Sequence, residues 1–137
     1  MSWLGKKRAP PIRSLVGEGM VVSGSVRFRD GLRIDGQVTG DVIAEGEGRS
    51  ILVISDNARV HGRVSASHVI ISGEVRGPVH STEMLELQPK ARVTGDVRYE
   101  LLEMHPGALV EGELKPLKSA EKPALKLAAS NDAQSRN

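Results

Sequence analysis

Four histidines, His61, His68, His80 and His105, are the side chains of this 137-residue sequence best suited to metal binding or proton transfer. Either chemistry needs a second histidine or carboxylates converging on one point. The four are scattered and form no such spacing. His61 fills a slot that Asp35, Ser72, Thr94 and Glu111 take in other copies of an internal repeat, so it reads as an outward-facing polar residue. The one Gly-rich stretch, Glu45-Gly46-Glu47-Gly48-Arg49-Ser50, lacks the Gly-Lys-Ser/Thr ending of a phosphate loop. Its two carboxylates would repel phosphate, and it reads as an excursion between structural units. No Gly-x-Ser-x-Gly motif is present. With no cysteine, disulfides and thiolate metal sites are excluded. No catalytic residue, cofactor or metal site is expected, and the chain reads as a non-enzyme.

The elements that would carry these residues come from repetition. The pattern [Val/Ile]-x-Gly-x-[Val/Leu] occurs at Val22–Val26, Ile34–Val38, Val60–Val64, Ile71–Val75, Val93–Val97 and Val110–Leu114. Longer copies strengthen it. Ile34 to Val42 matches Ile71 to Val79, and Ala-x-Val-x-Gly recurs from Ala58, Ala91 and Ala108. The offsets approximate multiples of roughly 17–18 residues, a solenoid period. Within a copy, Ile34, Gly36, Val38, Gly40 and Val42 alternate with Asp35, Gln37, Thr39 and Asp41. Period two means strand, because successive side chains point to opposite faces. Val and Ile suit half-buried strands, and glycine marks corners or close backbone approach. The expected fold is all-β: a parallel β-helix of about six windings spanning residues 18–114. A hexapeptide-repeat acyltransferase is also a β-helix, but its repeat sets a small residue directly after the aliphatic one. Here a residue intervenes and the steps are nearer 17.

Charge divides the chain. Residues 1–17 hold four bases and no acid, giving +4. Residues 115–137 hold five bases and two acids (+3), and residues 18–114 hold ten bases and fifteen acids (−5). An acidic body without a basic, aromatic-studded stripe is poor material for nucleic-acid binding. The N-terminus lacks the apolar core of a secretory signal, and no apolar run approaches the ~18 residues of a membrane-spanning helix. Residues 1–17 are expected to be a disordered basic tail. In it Trp3 and Leu4 sit beside Lys6, Lys7 and Arg8, a pattern suited to weak anchoring on an anionic membrane surface, at ~1 kcal/mol per basic residue. A solubilising tail is the other reading. Residues 115–137, rich in Lys, Pro and Ala, read as a second disordered tail.

A solenoid has two ends, each with a row of unpaired backbone groups and an open slice of core. Stable monomers cover them with polar caps. No amphipathic cap precedes Val22 or follows Leu114, and bare strand edges are templates for pairing. Assembly is therefore expected through Val22, Val26 and Phe28 at one end, and through Leu109, Val110 and Leu114 at the other. Phe28 alternatively fills the core.

Gly19 to Gly24, Leu32 to Val42 with its Ile34-Asp35-Gly36-Gln37-Val38-Thr39-Gly40 stretch, and Ala91 to Val97 resemble the bactofilins, polymer-forming bacterial cytoskeletal proteins. The resemblance implies a right-handed β-helix and nucleotide-free self-assembly through like-to-like contacts. It also implies a cytoplasmic location at the inner membrane face, and roles in cell shape with cell-wall or polarity proteins as partners. Trp3-Leu4 with Lys6 to Arg8 is similar to the family's membrane-targeting N-terminus. The alternatives are an acyltransferase-like enzyme, which would form a discrete trimer, and a non-polymerising adaptor.

Overall fold

The computed structural model describes residues 10–117. These residues form sixteen short strands and no helix. The first winding is β1 (Ile12–Val16), β2 (Val21–Ser23) and β3 (Val26–Phe28); the second is β4 (Gly31–Ile34), β5 (Gln37–Thr39) and β6 (Val42–Ala44). The third is β7 (Ile51–Ile54), β8 (Arg59–His61) and the start of β9 (Val64–Ile71). β9 bends into the fourth winding, which continues through β10 (Glu74–Arg76) into β11 (Val79–Leu87). The fifth takes the rest of β11, β12 (Arg92–Thr94) and β13 (Val97–Tyr99), and the sixth is β14 (Leu101–Met104), β15 (Leu109–Glu111) and β16 (Leu114–Pro116). Every pairing between windings is parallel. The result is a three-walled coil of six windings, as the repeat predicts.

The register stacks like on like. The second wall aligns Val22, Val38, Val60, Val75, Val93 and Val110 in one inward column. The first wall aligns Leu32, Leu52, Val69 and Leu85, and beside them Ile34, Ile54, Ile71 and Leu87. These side chains fill a narrow core, and all but Leu32, Val22, Val93 and Val110 are 0–1% exposed. Branched aliphatics suit this narrow interior, and they make up most of it.

Glycines turn the corner between the second and third walls. Gly24, Gly40, Gly62, Gly77, Gly95 and Gly112 all have positive φ. From Gly40 onward each also lies against the glycine one winding below. A Cβ on Gly62 would meet the Gly40 carbonyl oxygen at 2.1 Å. Only glycine satisfies both demands.

Two expectations change. The six motif copies fall one in each winding but not all at the same corner. Ile34–Val38 and Ile71–Val75 turn the corner between the first and second walls, where Gly36 and Gly73 pack on the backbone of the previous winding. Val38–Val42 and Val75–Val79 complete the set at the glycine-ladder corner. The step along the valine column varies from 15 residues (Val60 to Val75) to 22 (Val38 to Val60), the latter because the Glu45–Ser50 excursion intervenes. The coil also starts before residue 18 and ends after 114. β1 lies within the stretch read as a tail, because its hydrogen bonds come from β4, a partner that composition does not reveal. Lys115 and Pro116 pair with Arg98 and Tyr99 in β16, an edge strand that tolerates proline.

Candidate polymerisation interface

Among the described residues, six strands keep one edge unpaired. β1, β2 and β3 bond only to the second winding, and β14, β15 and β16 only to the fifth. Side chains follow the same geography. Among the described residues, the exposed large hydrophobics are Ile12, Leu15, Met20 and Val21 in the first winding, and Leu101, Met104, Leu109 and Leu114 in the sixth. Windings two to five contribute none. One outward column makes the contrast sharp: Val21, Gln37, Arg59, Glu74, Arg92 and Leu109 are in register. The inner four are polar or charged, whereas Val21 is 65% and Leu109 61% exposed.

Each residue expected at the ends has a definite place. Val22 and Val26 point inward and are half-buried, with no winding beneath them among the described residues. Val110 is their counterpart at the other end, and Leu114, in the column of Val26, Val42 and Val97, is 40% exposed where Val42 and Val97 are fully buried. Phe28 departs from this set. It is 6% exposed and belongs to the protomer's own core, stacked on Ala44. Small side chains above it (Ala44, Ala66, Ser81) leave the space its ring uses. Ile12, Leu15, Met20, Val21, Leu101 and Met104 were missed by repeat reasoning. Val21 had a signal: it precedes the motif valine, where inner copies carry Gln37, Arg59, Glu74 or Arg92.

Ion pairs occur in the end windings too, as Arg13 with Asp30 and Glu103 with His105, but the densest cluster lies on the second wall. On the second wall the Glu74 carboxylate lies 2.7 Å from Arg76 Nε, 3.4 Å from His61 Nε2, and 4.0 Å from both Arg59 and Arg92. Burial alone would raise this carboxyl, but Arg76 and the hydrogen bonds from His61 and Arg76 outweigh it and hold Glu74 below the usual carboxylate value. A Ser55 hydroxyl hydrogen bond, with Arg33 beside it, likewise lowers Asp35. His68 differs from the expected surface histidine. It is 1% exposed, with Nε2 2.7 Å from Glu86 Oε2 of the next winding, because it sits at a tight corner between walls. Among the described residues no group of three His, Asp or Glu is placed to hold a metal ion, and no helix is long and apolar enough to cross a membrane. Trp3, Leu4, Lys6, Lys7 and Arg8 lie outside the described residues.

The comparisons agree with this geometry. A family described as bactofilin, polymer-forming cytoskeletal, matches residues 14–115. Bactofilin BacP of Myxococcus xanthus is 27% identical over 101 residues, covering 74% of this chain and 40% of BacP, so the match spans less than half of that relative. Bactofilin BacO of the same strain is 24% identical over 101 residues, 74% of this chain and 77% of BacO. No solved structure matches. The family match runs from within β1 to within β16, and the chain belongs to the bactofilins, a family of polymer-forming cytoskeletal proteins.

Proposed function

We propose that this protein is a structural polymer whose β-helical subunits stack end to end without nucleotide and form a scaffold on the cytoplasmic face of the membrane. One observation carries the reading: the exposed large hydrophobics among the described residues are confined to the first and last windings. Apolar surface at both ends of a rod, next to unpaired strand edges, favours addition of further windings from another subunit. Each subunit contributes six windings, ~29 Å of fibre at the usual strand spacing. No step consumes energy, because burial of apolar area and closure of hydrogen bonds are available to every subunit as folded. Membrane attachment is assigned to Trp3, Leu4, Lys6, Lys7 and Arg8. One such segment binds marginally, but many on one polymer bind firmly. Scaffolding of cell-wall or polarity proteins follows from the family.

Negative-stain microscopy of the purified full chain tests the polymer. Filaments are expected in nucleotide-free buffer and unchanged by added ATP or GTP; dispersed particles at high concentration would refute it. Co-sedimentation with anionic liposomes tests the anchor. Deleting residues 1–8 is expected to abolish pelleting, and equal pelleting would remove the membrane from the account.

A further inference from the structure

A trough of about 530 Å³ runs along the third wall, from Ile43 in the second winding to Lys115 in the sixth. Its walls and floor include Ile43, Arg63, Pro78, His80, Arg98 and Lys115, with Asp96 also at its edge. Register explains the shape. Ile43, Ser65, His80 and Arg98 occupy one outward column in successive windings. Short Ser65 and half-buried Ile43 form a low floor, while the long arginines rise beside it.

The charges are unlike those of the second wall. On the second wall Arg59, Arg76 and Arg92 share the Glu74 carboxylate. Among the described residues, Arg63 and Arg98 have no carboxylate within 4.0 Å. Lys115 is bonded to Glu113 at 3.0 Å. Asp96 is occupied by the Glu113 backbone N–H, which donates to its Oδ1 at 3.1 Å. Two exposed guanidiniums therefore face one trough with their bidentate donors unused.

We propose that this trough docks an extended acidic segment of a partner protein, in which carboxylates about three residues apart flank an apolar side chain. Arg63 and Arg98 lie two windings apart, ~9.6 Å along the axis, the reach of three extended residues. The intervening apolar residue would rest on Ile43 and Pro78. The two terminal segments of this protein are poor occupants: residues 1–17 carry +4 and residues 115–137 carry +3. A planar bilayer would meet the rim and leave the floor untouched. Docking does not depend on polymerisation, although a polymer would repeat the trough once per subunit and multiply weak binding.

Fluorescence anisotropy of the full chain with a fluorescein-labelled Glu-Glu-Leu-Glu-Glu peptide tests this, with a Gln-Gln-Leu-Gln-Gln peptide as control. Arg63→Glu/Arg98→Glu is expected to weaken the acidic peptide at least about tenfold, while Arg59→Glu/Arg76→Glu changes it less than about twofold. Pelleting with phosphatidylglycerol vesicles should be the same for both variants and wild type. Microscopy of each variant separates this result from assembly: filaments show that the coil and its ends are intact. Undetectable peptide binding, equal loss in the two variants, or selective loss of vesicles with peptide binding retained would overturn the proposal.

Discussion

Gly24 and Gly62 occupy the same corner, yet among the described residues Gly62 has a neighbour below and Gly24 has none. A Cβ on Gly62 would strike the Gly40 carbonyl, with the Asp41 nitrogen at 3.0 Å. A Cβ on Gly24 meets nothing within 4 Å, although its φ of 123° still disfavours a side chain. Gly62→Ala thus combines strained backbone with a backbone clash and is expected to destabilise the fold by at least about 2 kcal/mol, read as a lower circular-dichroism melting temperature. Gly24→Ala carries the strain alone. Along the ladder the added Cβ contacts the preceding winding, so at Gly24 the methyl would project from the open N-terminal face. Its expected signature is a modest melting shift with markedly shortened filaments. Equal melting losses for the two variants would contradict the ladder geometry. The sequence marks all these glycines but cannot rank them, because rank depends on what lies one winding below.

The strands show how much of the architecture was legible. Alternation in Ile34 to Val42 was enough for strand, and the offsets between copies were enough for coil and approximate period, since repeated strands of that spacing admit few other folds. The assignment of motif copies to corners was not legible, because Ile34-x-Gly36 and Val38-x-Gly40 obey the same local pattern and differ only in which wall follows. β1 was hidden for a related reason: Ile12-Arg13-Ser14-Leu15-Val16 alternates poorly, and its strand character comes from pairing with β4. The ionic organisation of the second wall was equally invisible, since Arg59, Glu74 and Arg92 are far apart in sequence and adjacent only in register. That wall makes a pH prediction. Glu74 titrates below its usual 4.5 in the folded chain, so its contribution is present above that value and lost as pH falls through the lower folded one. Melts at pH 7 and about pH 3.5 should show a smaller difference in Glu74→Gln than in wild type. An unchanged difference would mean that the arginines around Glu74 contribute nothing to folding.

At the scale of the whole molecule, the two ends are chemically alike in being apolar but are different surfaces, so blocking one of them discriminates between modes of growth. Leu109 and Leu114 are the suitable positions: both are exposed, both lie in the last winding, and their inner counterparts Arg92 and Val97 belong to the fifth winding, which the substitutions leave untouched. Phe28→Arg would be a poorer probe, because a cation in the core of the first winding unfolds the end it is meant to block. In Leu109→Glu/Leu114→Glu the sheet signal should persist. If like ends meet like, as the family resemblance implies, the N-terminal faces still pair and the product is a closed two-fold dimer. If head meets tail, every contact uses one C-terminal face, and the product is a monomer. Sedimentation velocity reads the difference directly, and the dimer is the expected species. A monomer would assign polarity to the filament. Long filaments from this variant would mean that the apolar ends do not carry assembly, and that subunits join through their walls instead.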